Sequence, residues 1–368
     1  MKKWIAVFMI VLSPSVMADM NDLSISGHIL GGGFGLKQEE GAGDNQRRNF
    51  EMAVNLDFDI QLTEEWGAFV QLQSSPGESS LGFPGSGVEV TDLSIQYHPK
   101  DSTCSMILGS FDTPFGLQVS QLSNNADTTN NSMIMNDVMY SQFAGAMGTL
   151  NTVGVMGTYD RGPHQWILAV SNGTNESSDN ADNGFETVLS YSVVGVLPST
   201  TIGASVLQVH DKQGYGQNTD VSSFNANVMA WIVDLQTTVF GLDFDAYFAN
   251  LDYGDDNAQT KDGVMTYMGQ IKKSLDWGHI AVRYSEWHPE DDNADGQGLS
   301  QALNQPVGFA SGTVRADQKV SRIQLGVGYQ LEENVLFKTE FFIDDYGKET
   351  LSNQTDVMGA MAFVNVSF

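Results

Sequence analysis

The sequence has 368 residues, of which 45 are acidic and 17 are basic, so its formal net charge is −28 at pH 7. This excess of negative charge disfavours nucleic acid as a partner, because binding phosphates requires a basic surface. The single cysteine, Cys104, excludes a disulfide within the chain, so packing or backbone pairing must hold the fold together.

The first residues have the features of an export signal. Two lysines precede an apolar run over residues 4–12, and Val16-Met17-Ala18 fits the small-residue pattern before a cleavage site. We therefore expect residues 1–18 to be a signal peptide. No stretch of the chain approaches 18 consecutive apolar residues, so the sequence predicts no transmembrane helix.

Apolar and polar residues alternate with period two through most of the chain, and the helical period is nearly absent. In residues 48–62 (RNFEMAVNLDFDIQL), the large apolar side chains from Phe50 to Ile60 all occupy even-numbered positions. Strands of this length are unusual, since those of globular proteins average about five or six residues. The pattern predicts 16 strands, with 14 or 18 as alternatives: 22–36, 47–62, 66–75, 89–98, 103–112, 150–160, 164–172, 185–196, 200–210, 224–235, 239–251, 263–274, 277–287, 318–330, 335–346 and 356–368.

The connections between these strands alternate in length. The even-numbered ones contain two to four residues, as in Thr63-Glu64-Glu65 and Gln236-Thr237-Thr238. The odd-numbered ones are longer and polar: 37–46, 76–88, 113–149, 173–184, 211–223, 252–262, 288–317 and 347–355. Only helices and closed barrels satisfy every backbone polar group in hydrocarbon, and short turns opposite long loops are typical of outer-membrane barrels. We predict an all-β, transmembrane, up-and-down antiparallel β-barrel over residues 19–368, with periplasmic turns and extracellular loops.

The last strand ends on an aromatic residue. In MAFVNVSF, Val364, Val366 and Phe368 share one face. The last strand of a closed barrel pairs with the first, so a chain can stop within a strand, and Phe368 would face lipid in the aromatic girdle. A terminal strand that ends in this way resembles the sorting signature of bacterial outer-membrane proteins. The resemblance implies that the barrel-assembly machinery reads Phe368 as an assembly signal, and that the protein lies in the outer membrane of a Gram-negative bacterium.

A narrower resemblance concerns residues 108–117 (LGSFDTPFGL) and 166–173 (WILAVSNG). Both are similar to segments of the phosphate-selective porin (O/P) family, in which the first leads into the third external loop. The resemblance implies that the loop 113–149 folds inward and narrows a pore, and that the protein is a trimer. The beginning of this constriction loop would consist of Phe111, Asp112, Pro114, Phe115 and Gly116.

Strand parity predicts which charged residues face the lumen, when the apolar side is taken as lipid-facing. The expected acidic residues are Glu51, Asp57, Asp59, Asp92, Glu186, Asp243, Asp245, Glu340 and Asp344. The expected basic residues are Lys272, Arg283, Arg322 and Lys338. Strands 9 and 10 lack a clear polar face, and no inward charge is assigned there.

This predicted lining departs from the phosphate-selective porins, which line their channel with Arg and Lys. An acidic lumen raises the local concentration of cations and disfavours anions. We therefore predict a mild cation preference. The alternative is an ordinary solvated wall whose charge is largely screened by salt.

Two other motifs have simpler explanations. Residues 291–296 (DDNADG) match the first half of a calcium loop, but its twelfth position is Ala302 and not Glu. We expect no metal and no cofactor, although a weak divalent-cation site with Asp291, Asn293 and Asp295 stays open. The glycine run 31–35 precedes no helix that could bind phosphate, and small residues in a strand explain it better.

The histidines do not suggest an enzyme. Of the six, His210 and His288 fall on the external side, where barrel enzymes have their active sites. The sequence contains no nucleophile elbow and no HExxH motif. We therefore expect a protein without catalytic activity.

Together these features predict a porin for the passive diffusion of small hydrophilic solutes and ions. The expected partners are outer-membrane lipid and lipopolysaccharide, the barrel-assembly machinery, small solutes and two further copies in a homotrimer. Two alternatives stay open: a substrate-specific channel with a solute site at the constriction, and a non-conducting surface or adhesion barrel.

Overall fold

The computed structural model describes residues 23–38, 46–75, 87–117, 151–172, 185–210, 227–254, 263–289, 319–346 and 357–368. These residues form sixteen strands. The first eight are β1 (Leu23–Gln38), β2 (Gln46–Gln61), β3 (Trp66–Ser75), β4 (Gly87–Tyr97), β5 (Cys104–Asp112), β6 (Asn151–Arg161), β7 (His164–Ser171) and β8 (Phe185–Val194). The others are β9 (Thr200–His210), β10 (Asn227–Val239), β11 (Leu242–Gly254), β12 (Gly263–Leu275), β13 (Gly278–Pro289), β14 (Val320–Glu332), β15 (Val335–Tyr346) and β16 (Val357–Ser367).

Three predicted features lie outside the described residues. They are the signal peptide 1–18, residues 118–149 of the predicted constriction loop, and the calcium-like motif 291–296. Among the residues that the structure describes, no helix is long and apolar enough to cross a membrane.

The sheet closes on itself. Every strand pairs antiparallel with its neighbours in sequence, and β1 pairs with β16. At this seam the Gly27 amide donates to the Phe368 carbonyl oxygen at 3.1 Å, and the Phe368 amide donates to the Gly27 carbonyl oxygen at 3.0 Å. Backbone pairing therefore runs to the end of β16, and the barrel has no free edge at the seam. The predicted all-β antiparallel barrel of 16 strands is confirmed.

The two faces of the barrel have opposite polarity. Large apolar side chains such as Phe50, Leu168 and Phe341 are exposed on the outer face. Buried polar side chains, among them Asn55 and Gln324, lie on the inner face. A barrel surrounded by lipid requires this arrangement, which is the inverse of that in a water-soluble domain.

Aromatic side chains collect on the outer face near the short turns. The ring centroids are 4.5 Å apart for Trp66 and Tyr97, and 4.3 Å apart for Trp166 and Tyr191. Phe368, which is 54% exposed, ends β16 at the same side. Such rings form the girdle of a membrane barrel at the interface between lipid and water.

One predicted turn is wrong. The polar stretch Gln236-Thr237-Thr238 was expected to connect strands 10 and 11, but it lies within β10. The chain reverses instead at Phe240 and Gly241, whose φ angles are 53° and 71°. Two consecutive residues with positive φ form the tight hairpin turn whose twist matches antiparallel strands, so local backbone geometry outweighs polarity here.

The sequence left the inward charges of strands 9 and 10 unassigned, and the structure places one there. Asp234 lies on the inner face of β10, where it is buried. The strands are hard to read because both of their faces are apolar. Val206 and Trp231 are exposed outside, whereas Leu207 and Ile232 are fully buried inside.

Candidate functional site

The start of the predicted constriction loop lies against the inner wall of the barrel. We call residues Thr113–Leu117 the anchor segment. Thr113 and Pro114 are buried, and Phe115 is 0% exposed. Phe111, at the end of β5, is buried on the inner face, whereas Asp112 has the parity of the outer face. Of the five predicted residues, all but Asp112 therefore come to the inner wall.

Four polar contacts join the anchor segment to β8, β9 and β10. They are Thr113 Oγ1 to Glu186 Oε1 (3.3 Å), Ser190 Oγ to the Pro114 carbonyl oxygen, Gly116 N to Ser205 Oγ (3.0 Å) and Leu117 N to Asp234 Oδ2 (3.1 Å), with the first-named group donating in each. Around these contacts the inner wall is apolar, with Val188, Leu207 and Ile232 buried. The anchor segment is thus bound by apolar packing together with specific hydrogen bonds.

A second inner region, on β10 to β13, brings together four predicted lining residues. Asp243 Oδ2 lies 3.3 Å from Lys272 Nζ. At the next inward-facing pair of the same strands, Gln270 Nε2 donates to Asp245 Oδ2 at 2.8 Å, and Arg283 Nε donates to Gln270 Oε1 at 2.9 Å. Gln270 therefore connects the acidic Asp245 to the basic Arg283 through one hydrogen bond to each.

A third inner region, on β14 and β15, is fully buried. Arg322 binds Asp344 through two hydrogen bonds, Nε to Oδ1 at 2.6 Å and Nη2 to Oδ2 at 2.8 Å. Gln324 Nε2 donates to Glu340 Oε1 at 2.9 Å. Lys338 is buried on the same face. A charge in such a place is tolerated only when it is paired, and the bidentate geometry of Arg322 and Asp344 meets that condition.

The fourth inner region, on β2 to β4, is acidic. Gln71 Nε2 donates to Asp57 Oδ1 at 2.8 Å, and Thr91 Oγ1 donates to Gln71 Oε1 at 2.8 Å. Asp92 is buried opposite Gln71, next to an irregularity in the pairing of β3 with β4, and Asp59 is exposed. The side chain of Glu51 lies outside the described part of the chain.

Burial separates the inner-face charges into two sets. Three predicted basic residues, Arg283, Arg322 and Lys338, are buried. Among the inner-face residues whose side chains the structure describes, the charges that keep solvent exposure are five aspartates and one lysine: Asp57, Asp59, Asp160, Asp243, Asp245 and Lys272. The lysine is 30% exposed and is paired with Asp243. The charge that water reaches on the described inner wall is therefore predominantly negative.

Sequence reasoning missed several of these residues. Asp234 was missed because the two-sided apolar pattern of β10 hides its parity. Gln71 and Gln270 were missed because only charged residues were assigned to faces, although both share the parity of predicted lining residues. Asp160 was missed because it lies at the end of β6, beside a turn.

An outward-facing charged cluster lies at the external end of β13. Glu286 Oε1 is 2.8 Å from Lys319 Nζ and 3.6 Å from His288 Nδ1. Tyr284 donates its hydroxyl hydrogen to Glu286 Oε2 at 2.5 Å. The hydrogen bond to Glu286 raises the pKa of Lys319. Glu286 thus contacts a lysine, a tyrosine and a histidine at once, and these contacts hold the cluster together.

Metal ligands were not expected, apart from a weak site in the loop 288–317. Among the described residues, no group of three or more His, Cys, Asp or Glu side chains could hold a metal ion. Asp291, Asn293 and Asp295 lie outside these residues, so that possibility stays a prediction.

No family model matches the chain, and no curated protein matches it. Solved structures of outer-membrane proteins do. Pseudomonas putida OprB matches with a TM-score of 0.66 and 12% sequence identity, over 99% of this chain and 97% of that chain. The anion-selective porin from Comamonas acidovorans matches with a TM-score of 0.64 and 10% identity, over 94% and 99%.

OmpT, an outer-membrane protein of Vibrio cholerae, matches with a TM-score of 0.63 and 10% identity, over 94% of this chain and 97% of that chain. A trimer form of OmpT matches as well. Identities this low show a shared fold alone. The resemblance of residues 108–117 to the phosphate-selective porins therefore stays a prediction.

Fold and surface together define the class of protein. The chain has the porin fold, a closed 16-stranded antiparallel barrel with an apolar outer face and aromatic rings near its short turns. Barrels with this surface span the outer membrane of Gram-negative bacteria, and this is the location of the protein.

Proposed function

We propose that the protein is an outer-membrane porin through which small hydrophilic solutes and ions diffuse passively, with a mild preference for cations. The observation that carries the proposal is the set of water-exposed charges on the described inner wall, five aspartates and one paired lysine. Fixed negative charge in a low-dielectric wall raises the local concentration of cations and lowers that of anions.

The same observation separates this channel from one built for anions. An anion path needs basic side chains that a passing solute can reach. Arg283, Arg322 and Lys338 are buried, and Arg322 is neutralised by Asp344. These residues therefore support the wall and offer a passing anion no group that it can reach.

The constriction is proposed to come from the loop 113–149. What supports this is the position of the anchor segment, which crosses from the end of β5 to the inner faces of β8, β9 and β10. A segment bound to the inner wall occupies part of the lumen and so reduces the open cross-section. At the constriction a permeating ion or solute lies closest to the charged wall, so ion selectivity would arise there.

The experiment is a reversal-potential measurement in a planar bilayer under a salt gradient. Asp243→Arg combined with Asp245→Arg should move the reversal potential toward anion permeability. The control combines Asp252→Arg with Asp345→Arg, which makes the same change in net charge on the outer face of the barrel. An equal shift in both variants, or none in either, would contradict the proposed lining.

Asp59→Asn provides a milder variant of the same test. The Asp59 side chain is exposed on the inner face of β2. Asparagine has nearly the same size and shape as aspartate, so the replacement removes the charge without adding bulk. We expect a smaller shift of the reversal potential in the same direction. This variant keeps the proposal testable even when the double arginine variant does not fold.

Burial of the inner wall favours a second candidate, a narrow substrate-specific channel. Arg322, Gln324 and Glu340 are each 0% exposed, although they lie on the inner face of the barrel. Inner-wall side chains that water does not reach indicate a narrower passage for solutes than an open pore would have. Conductance that saturates with one solute would favour the specific channel, linear conductance would favour the general pore, and no steady conductance would favour a surface or adhesion barrel.

The proposed partners follow from the same class of protein. We infer a homotrimer in contact with outer-membrane lipid and lipopolysaccharide, and assembly by the barrel-assembly machinery through the terminal strand that ends at Phe368. Passive diffusion requires no cofactor and no catalytic group. Cross-linking in native membranes would test the trimer.

A further inference from the structure

Asp234 has an unusual environment for a carboxylate. It lies on the inner face of β10 and is 2% exposed. Its Oδ2 atom accepts a hydrogen bond from the Leu117 amide at 3.1 Å. Its Oδ1 atom is buried and has no hydrogen-bond partner in the part of the chain that the structure describes. Among the described residues, no basic side chain forms an ion pair with it.

A carboxylate in this situation is costly. Burial removes its hydration, and the described residues supply neither a counter-ion nor a second hydrogen bond to replace the lost water. The strand could bury an apolar side chain here at lower cost, as it does with Ile232 two positions earlier. Asp234 accepts a hydrogen bond from a backbone amide of the anchor segment. The carboxylate therefore determines the position of that segment.

The neighbouring strand is shaped to admit this contact. Gly203 of β9 lies directly opposite Asp234 in the register. A Cβ atom at Gly203 would lie 2.3 Å from Asp234 Oδ1 and 2.9 Å from Leu117 Cγ. Any larger residue at this position would therefore require the carboxylate, the leucine or both to move.

The amide that precedes Leu117 in the chain is also directed at the wall. Gly116 N donates to Ser205 Oγ at 3.0 Å, and Gly116 has a φ of 80°. A left-handed conformation at this point lets two consecutive amides reach two neighbouring strands, and glycine adopts it without strain. The end of the anchor segment is therefore held by β9 and β10 together.

We propose that Asp234 is the positioning residue of the constriction, which holds the start of the loop on the inner wall through the Leu117 amide while Gly203 provides the space. This role rests on the proposed function, since a constriction matters only in a channel. Asp234 acts through the loop and does not line the solute path itself.

The first test is amide hydrogen–deuterium exchange of the full chain in detergent, resolved to the single amides of residues 114–117. Asp234→Ala should accelerate exchange at Leu117 by on the order of ten- to a hundredfold, as expected for loss of a hydrogen bond to a charged group. Asp234→Asn keeps an accepting oxygen and should retain most of the protection. Gly203→Ala should accelerate exchange at Leu117 although the carboxylate is still present.

Two matched controls separate this role from general damage to the barrel. Asp252→Ala removes an exposed carboxylate from the outer face of β11. Gly157→Ala adds a methyl group on β6 where a Cβ meets no atom within 4 Å. Neither should change exchange at Leu117. Equal exchange at Leu117 in wild type and Asp234→Ala would overturn the proposal.

The second test is the single-channel current. Asp234→Ala and Gly203→Ala should increase the noise of the open-channel current, since the constriction is less firmly held, and Asp234→Asn should restore a quiet current. Exchange does not depend on conduction. A wild type that conducts no current but shows the predicted exchange pattern would refute the proposed function and support anchoring by Asp234. A conducting wild type with unaltered exchange in Asp234→Ala would support the proposed function and refute anchoring by Asp234.

Discussion

Gly32 shows how a single residue serves the closure of the barrel. It lies on the inner face of β1, opposite Phe363 of β16. A Cβ atom at Gly32 would lie 2.1 Å from the Ala362 carbonyl oxygen and 2.6 Å from Phe363 Cγ. Phe363 is buried over this position. The glycine run 31–35 therefore contains one residue that must be small, because the aromatic ring fills the space above it.

We expect Gly32→Ala to destabilise the barrel by about 1–3 kcal/mol, the usual cost of overpacking a core position. The control is its neighbour Gly31→Ala, where a Cβ would meet no atom within 4 Å. The measurement is the fraction of folded, heat-modifiable protein as urea is increased. Identical urea midpoints for the two variants would show that Phe363 moves aside freely.

At the scale of the element, β16 closes the barrel and ends at the membrane interface. Phe368, which follows the last residue of β16, exchanges two backbone hydrogen bonds with Gly27, and its side chain is exposed on the outer face. An aromatic side chain at the end of the closing strand prefers the interface between lipid and water, which favours the correct depth of that strand.

Phe368→Asp should therefore reduce assembly into the outer membrane, because a charge replaces the ring in the girdle and in the predicted assembly signal. The control is Phe240→Asp at the turn between β10 and β11, where the phenylalanine is 98% exposed and the backbone suits aspartate. The measurement is the heat-modifiable fraction in outer-membrane preparations. Equal losses in both variants would mean that any aromatic residue at this rim has the same role.

At the scale of the whole molecule, the protein combines a net charge of −28 with an apolar belt. In most soluble proteins a charge of this size would guarantee solubility. Here the outer faces of β2, β7, β8 and β15 carry exposed Phe50, Leu168, Leu189 and Phe341. Contiguous apolar surface around a closed barrel drives association with lipid or detergent regardless of charge.

The purified chain should accordingly stay folded and monodisperse only with detergent or lipid. On removal of detergent we expect loss of monodispersity by light scattering at an ionic strength where the charge alone would keep a soluble protein apart. A folded, monodisperse protein in plain buffer would contradict the membrane-spanning barrel.

The sequence by itself determined the antiparallel order of the strands and the faces of most of them, and it favoured the observed number of 16 over 14 or 18. This is possible because each barrel strand pairs with its sequence neighbours, and lipid on one side with water on the other enforces a period of two. The even-numbered apolar positions from Phe50 to Ile60 follow this rule. The turn at Phe240 and Gly241 was not predicted by this rule, because the positive φ angles that form it are not indicated by the pattern of polar and apolar residues.

Only the tertiary structure decided what lies on the inner wall. The inner faces of β9 and β10 contact a segment that is distant in sequence, so they are apolar where a solvated lumen would be polar, and the parity of Asp234 cannot be read locally. The burial of Arg322 and Lys338, which were expected to line the pore, is likewise a property of three-dimensional packing. Strand alternation reports which side of the sheet a residue faces, but not whether water reaches it there.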